Sequence, residues 1–126
     1  MGQPVVHFEI IGRDPASLRQ FYTGLFGWTF ETEGPAAKEI VGDYGFVAPT
    51  VTSAGFGIPG GVGGGPGFEH RVLFYVGVPD VEAALRTAEE GGGSRIIGPY
   101  QEPGSDLVVG LFSDPEGHVI GVANVT

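Results

Sequence analysis

Two side chains near the start of the chain carry the chemistry of proton transfer. His7 and Glu9 stand two residues apart in the run Val5 to Ile11. Side chains alternate along a strand, so both leave the same face. In one reading Glu9 or a neighbour orients His7, which gives a proton to a ligand or takes one. In the other, His7 is a polar spot hydrogen-bonded inside the fold. Arg71 adds a planar cation that pairs with Glu9 or grips an anionic group. Trp28, Phe46, Phe56, Tyr75 and Tyr100 can wall a flat ligand or serve as ordinary core. Nucleophilic chemistry finds no support. The chain has no cysteine, which excludes disulfides, thiolate metal sites and a thiol nucleophile. Ser17, Ser53, Ser94, Ser105 and Ser113 have no neighbouring base, and no G-x-S-x-G elbow occurs. His70 and His118 are assigned no role.

Elements that position these groups follow from pattern and punctuation. Val5 to Ile11 reads as a strand. Asp14-Pro15 opens a helix, with Asp14 as N-cap and Pro15 in the first helical position. Leu18, Phe21, Tyr22 and Leu25 give that helix an apolar face, and Gly27 ends it. Trp28 to Glu33 resumes strand alternation, and further strands are expected at Tyr44 to Ala48 and Ser53 to Ile58. The segment Pro59 to Gly67 reads as a flexible connector. Beyond it come a strand at Val72 to Val78 and a helix begun by Pro79-Asp80 and ended by Gly91 to Gly93. Strands at Ser94 to Ile97, Leu107 to Ser113 and His118 to Val125 complete the chain, with a turn at Asp114 to Gly117. Glu82, Glu89 and Glu90 read as a solvated helix face.

A shift of 66 residues lays Asp14 on Asp80, Gly27 on Gly93, Pro49 on Pro115 and Gly55 on Gly121. The matching order of elements makes this an internal repeat. The expected plan is a single α+β domain of two βαβββ modules, about 1–59 and 68–126, joined by the 59–67 linker. Val6, Phe8 and Ile10 then lie under a helix, as do Val72, Phe74, Val76 and Val78. The alternate sets, with His7 and Glu9 in one strand and Arg71, Leu73, Tyr75 and Gly77 in the other, face a concave side suited to a ligand. Gly55-Phe56-Gly57-Ile58-Pro59-Gly60 spells G-x-G-x-x-G, but more glycine follows where a dinucleotide site needs a helix.

Composition narrows the function classes. The 126 residues carry a net charge of −9. That balance repels a phosphate backbone, so nucleic acid is a poor partner. It attracts cationic small molecules, although acidic charge also simply confers solubility. The opening residues lack a basic-then-apolar leader, no run approaches a membrane span, and the cytoplasm is the expected compartment.

The chain resembles the vicinal oxygen chelate superfamily, which includes glyoxalase I, bleomycin-resistance proteins and extradiol dioxygenases. The resemblance rests on Val6-His7-Phe8-Glu9-Ile10, Asp14 through Phe21-Tyr22, Leu25-Phe26-Gly27-Trp28, Val76-Gly77-Val78-Pro79-Asp80-Val81, Gly91-Gly92-Gly93 and Asp114-Pro115-Glu116-Gly117. It implies paired βαβββ modules forming an open, barrel-like curved sheet with helices outside, usually in a homodimer. It also implies a metal-ligand set at four positions, here His7, Leu73, Gly121 and, by the 66-residue shift, Gly55. Only His7 offers a donor, and a divalent ion needs three or four. The expectation is therefore a protein without metal or cofactor. It binds a small organic molecule, aromatic or cationic, through His7, Glu9, Trp28, Phe46, Phe56, Arg71, Leu73, Tyr75 and Tyr100. The alternative is a lyase, isomerase or dioxygenase-like enzyme using His7, with Glu9, as acid or base, or an atypical metal site. A third reading makes the pocket vestigial and the dimer surface the functional part.

Overall fold

Punctuation in the sequence sets the helices. The computed structural model describes residues 2–34 and 36–125. In chain order its elements are β1 (Val5–Gly12), α1 (Pro15–Phe26), β2 (Phe30–Glu31), α2 (Lys38–Val41), β3 (Gly45–Val47), β4 (Val51–Thr52), β5 (Gly55–Phe56), β6 (Gly60–Gly64), β7 (Arg71–Gly77), α3 (Val81–Glu90), β8 (Ser94–Gln101), β9 (Val108–Ser113) and β10 (Val119–Ala123). The fold is α+β. Asp14 caps α1 by accepting the Ser17 N–H at 3.1 Å, and Asp80 caps α3 by accepting that of Ala83 at 3.1 Å. Each satisfies a donor that a helix start leaves unpaired. Gly27 closes α1 at φ 74°, a left-handed turn that glycine adopts without a side-chain clash. No helix among the described residues is long and apolar enough to cross a membrane.

The chain divides into two units, His7–Val72 and residues 2–6 with 73–125. In the first, the strands run β2-β3-β6-β1. β2 pairs antiparallel with β3 and β3 with β6, while β1 lies parallel to β6, with Phe8 opposite Gly60 and Glu9 opposite Gly61. β4 and β5 form a separate two-stranded hairpin. The Pro59–Gly67 segment, expected as a flexible connector, therefore holds a strand, every residue of which is buried. Its glycines are required by packing. A Cβ built on Gly60 would fall within the Phe8 ring, and one on Gly61 within the Tyr44 ring. Glycine is here the floor on which aromatic rings lie, a use of close backbone approach rather than of flexibility.

Helix α1 packs on β6. Arg19 ties it down, donating to the Val62 carbonyl at 3.2 Å and the Asp43 carbonyl at 3.1 Å, with an ion pair to the Asp43 carboxylate at 3.2 Å. Pro15, Leu18, Arg19 and Tyr22 make the inward stripe. Phe21 and Leu25, expected in the core, are instead 60% and 58% exposed. The strand expected at Ser53–Ile58 is only the outer half of the β4–β5 hairpin. The short helix α2 was not anticipated.

In the second unit the strands run β7-β10-β9-β8. β8·β9 and β9·β10 are antiparallel, and β10 lies parallel to β7 with Tyr75 opposite Gly121. Helix α3 packs on β8, β9 and β10. Val78, Val81, Leu85 and Val122 form the core beneath it, with Val76, Ala84, Val108 and Phe112 around them. α3 lies over those three strands, so Phe74 on β7, expected beneath a helix, remains 40% exposed. Val72, the last residue of the first unit, is 77% exposed for want of a covering helix. Glu89 and Glu90 are exposed, as expected, whereas Glu82 is half-buried. Arg95 bonds both oxygens of Glu82 at 2.8 and 2.9 Å and reaches Glu89 at 3.1 Å, and the guanidinium holds the Glu82 carboxyl well below its usual range. The Asp114–Gly117 turn forms as expected, with the Gly117 N–H donating to the Asp114 carbonyl at 2.9 Å.

The glycine floor makes a sharp prediction. Gly61→Ala should lower stability by about 2 kcal/mol or more in urea unfolding, because the methyl overpacks against Tyr44. Gly24→Ala, in α1 with open space around its Cα, should raise stability by about 0.5–1 kcal/mol. A flexible connector would tolerate the first substitution.

Candidate functional site

Strand β1 sends His7 and Glu9 to the face that carries Gly61 and Gly63 of the neighbouring strand. With no side chains there, the space above β6 is open to whatever the rest of the unit supplies. It supplies Tyr44, just before β3, and Phe46 within it. Tyr44 is 6% exposed. Its Oη lies 2.8 Å from His7 Nε2 in a hydrogen bond. The two rings are stacked with centroids 6.2 Å apart. Phe46 meets His7 edge-on at 6.0 Å and Tyr44 at 4.9 Å. Glu9, at 1% exposure, is among the most completely buried side chains in the protein. A cavity of about 270 Å³ abuts Tyr44, with Thr32, Ala36, Lys38 and Asp43 also in its wall.

Burial dominates the electrostatics here. It penalises the charged imidazolium and lowers the His7 pKa to about 4. At neutral pH His7 is thus an uncharged ring that exchanges hydrogen bonds with the phenol and presents a flat π-surface.

The residues expected to form one pocket divide into several places. His7, Glu9 and Phe46 come together. Trp28 belongs to the other face, where it packs on Phe8 at 5.2 Å, Tyr22 at 5.6 Å and Phe26 at 5.1 Å. Phe30, the first residue of β2, meets Trp28 edge-on at 6.3 Å. Phe56, opposite Val51 at the open end of the β4–β5 hairpin, is 82% exposed. Arg71 donates from Nη2 to the Ile40 carbonyl at 3.2 Å and lines a groove with Arg13, Ser17, Leu18, Phe21 and His70. Leu73 and Tyr75 are buried within the second unit, at 5% and 4% exposure. Tyr100 in that unit donates to a Glu102 carboxylate oxygen at 3.4 Å.

Tyr44 was missed by the sequence reading. Its signal was present in the alternation of Gly61 and Gly63, a bare strip along one strand face that only a large ring can fill.

The ladder also corrects one ligand position. Gly121 stands opposite Tyr75, and Tyr75 is the 66-residue counterpart of Glu9. Glu9 stands opposite Gly61, so Gly61 and not Gly55 occupies the place of Gly121 in the first unit. A Cβ on Gly121 would collide with the Tyr75 ring, as one on Gly61 would with Tyr44. In each unit an aromatic ring lies where a donor side chain on that strand would have to begin. Leu73 has no donor, and the Nε2 of His7 is engaged by Tyr44. Among the described residues no three His, Asp or Glu side chains gather in a metal-binding group. The residues present do not fit a divalent metal.

The low pKa of His7 makes the second prediction. Because the folded-state pKa lies below the unfolded value, the unfolded chain binds the extra proton first. Stability from this group is full above about pH 6.5 and is lost as pH falls toward 4, a change of about 3 kcal/mol. His7→Gln should flatten that part of a urea-midpoint profile. NMR titration of the native protein should show the His7 ring neutral at pH 5.

A family model described as Glyoxalase/Bleomycin resistance protein/Dioxygenase superfamily matches residues 5–122. Comparison with curated proteins finds no match. Among solved structures, a variant of Streptomyces coelicolor methylmalonyl-CoA epimerase in complex with 2-nitronate-propionyl-CoA superposes with a TM-score of 0.65, at 17% identity over 96% of each chain. A glyoxalase/bleomycin resistance protein/dioxygenase superfamily member from Vibrio splendidus 12B01 gives 0.60 at 16% identity, over 97% of this chain and 98% of that one. A hypothetical protein from Bacillus halodurans C-125 gives 0.68 at 12% identity, over 100% and 96%. At such identities the likeness is one of fold.

Proposed function

The chain belongs to the glyoxalase/bleomycin resistance protein/dioxygenase superfamily, and from that premise we propose that it binds a flat aromatic or cationic small molecule without a metal. The observation that carries this reading is the His7–Tyr44–Phe46 cluster over a glycine floor, with Glu9 buried on the same strand face. Aromatic faces stack on planar ligands and attract cations. The neutral imidazole and phenol set orientation through hydrogen bonds, as a few polar groups do in an otherwise apolar site. The collision of Tyr44 with any side chain at Gly61 supports the absence of a metal ligand there.

The lowered pKa of His7 lends some support to a second reading, in which the neutral ring acts as a general base on a bound carbon or oxygen acid. A pKa of about 4 makes it a weak base at neutral pH, however, since catalysis is most efficient with a pKa near the working pH. Binding is favoured over proton transfer. The epimerase resemblance is one of fold and does not change that balance.

Calorimetric titration with N-methylquinolinium, a flat cation, and 1-naphthol, a flat neutral compound, tests the proposal on protein dialysed against EDTA. Both should bind after dialysis, and Phe46→Leu and Tyr44→Phe should each weaken binding by about three- to tenfold. Binding that appears only after a divalent ion is restored, or that neither substitution alters, contradicts the proposal.

A further inference from the structure

The two helices that open at Asp14 and Asp80 meet water in different ways. Helix α3 carries four charged side chains in its 10 residues, Glu82, Arg86, Glu89 and Glu90. Helix α1 carries one in its 12, Arg19. That one turns inward to the Val62 and Asp43 carbonyls, and its side chain is only 13% exposed. The outer face of α1 is therefore uncharged, in a chain of net charge −9. A helix that faces only water carries charged and polar side chains on that side.

Apolar side chains take the place of charge. Phe26 is 57% exposed and joins Phe21 and Leu25 at the surface. Behind them stand half-buried rings. Phe21 meets Tyr22 edge-on at 5.1 Å, Phe26 meets Trp28 at 5.1 Å, and Tyr22 stacks on Trp28 at 5.6 Å. Gly24 occupies the middle of the exposed arc, with Gln20, Phe21 and Leu25 around it. A glycine inside a helix costs about 1 kcal/mol relative to alanine. Nothing within this chain requires it: its φ is not positive, and a Cβ built on it would meet no described atom within 4 Å. The reason for this glycine lies outside the chain.

We infer that this face joins two copies of the chain, α1 antiparallel to α1 about a twofold axis. Phe21 is a knob and Gly24 a hole, three residues apart on one face. An axis midway between them sets each Phe21 ring over Gly24 of the other copy, so one spacing supplies both halves of an isologous contact. The glycine lets the helix axes close to about 8 Å, the near end of the usual range. Charge favours the same partner. Two chains of like net charge approach most easily where neither bears a charge, and a basic partner finds no acid on this face to hold it. The three exposed side chains offer about 300 Å² of apolar area. A standard interface uses about 800 Å² per partner, so this dimer is transient, half formed at about 10–100 µM.

Sedimentation velocity of the full chain from about 1 to about 300 µM tests this. The mean sedimentation coefficient should climb toward that of a dimer, and climb further as salt screens the repulsion between like-charged copies. Phe21→Glu and Gly24→Glu should each weaken association at least about tenfold, because the twofold axis brings two new like charges into one contact. Gly24→Glu also raises helix propensity, so its effect is not a loss of folding. Thr87→Glu puts the same charge on the exposed side of α3 and should leave association unchanged. Amide shifts that depend on protein concentration should centre on Gln20, Phe21, Gly24 and Leu25. A monomer throughout, a dimer indifferent to Gly24→Glu, or an equal loss with Thr87→Glu overturns the inference. So do α1 shifts that appear only on adding phosphatidylcholine vesicles, which would give the face to lipid. Failure here leaves the quinolinium and naphthol result untouched, since this face shares no residue with the His7–Tyr44–Phe46 cluster.

Discussion

The His7 face of the first unit depends on the contact between the Tyr44 ring and the bare backbone of β6. Strand β6 is glycine at four of its five positions, which removes the side chains that would hold rings off the sheet. Tyr44 can then lie flat against Gly61 and Gly63 and still place its hydroxyl 2.8 Å from His7 Nε2. On the opposite face, Phe8 takes the corresponding place over Gly60. Burial of the rings closes water out around His7, and the neutrality of that histidine follows from burial more than from any neighbouring charge. The second unit uses the same device, with Tyr75 over Gly121. The substitution that removes a donor from the strand is thus coupled to the ring that occupies its space. A single glycine-to-glutamate exchange could not restore a ligand without displacing a tyrosine.

Charge is handled locally. With six basic residues against fifteen acids, most carboxylates face water, and cations are committed to a few structural tasks. Arg19 fastens α1 to β6 through two backbone carbonyls. Arg95 gathers Glu82 and Glu89 from one side of α3 and so ties that helix to β8. Exposed pairs of this kind contribute little individually, and their effect here is to fix where the helices sit.

Much of this was legible from sequence wherever local chemistry decides. Asp14 with Pro15, Gly27, Asp80 and the Asp114–Gly117 turn each act within a few residues, and all behave as their types require. β1, β7, α1 and α3 follow from periodicity. What the sequence concealed was long-range. Pro59–Gly67 looks like a linker because glycine signals freedom in isolation; that it forms a strand depends on Phe8 and Tyr44, whose rings need the vacancy. Consequently the 66-residue shift, sound for Asp14 and Asp80, placed the Gly121 counterpart at Gly55 when pairing puts it at Gly61. Within the site, alternation puts His7 and Glu9 on one strand face, while Phe46 enters only as one of five aromatic candidates. It could not reveal Tyr44, which lies just outside β3, or the removal of Trp28 to the Phe8 side. Phe21 and Leu25 fit an apolar helical face, yet the stripe that packs is set by Leu18 and Arg19.

The central claim is that His7 bonds to Tyr44 and has no place in a metal shell. Long-range ¹H–¹⁵N spectra of the imidazole, recorded while cobalt(II) is titrated into the native protein, test this directly, because a paramagnetic ion displaces the resonances of any ring it binds. The His7 nitrogens should keep their positions and the signature of a neutral, hydrogen-bonded ring after the exposed His70 and His118 have responded. A stoichiometric paramagnetic shift at His7 Nε2, with loss of the Tyr44 hydrogen bond, would contradict the account.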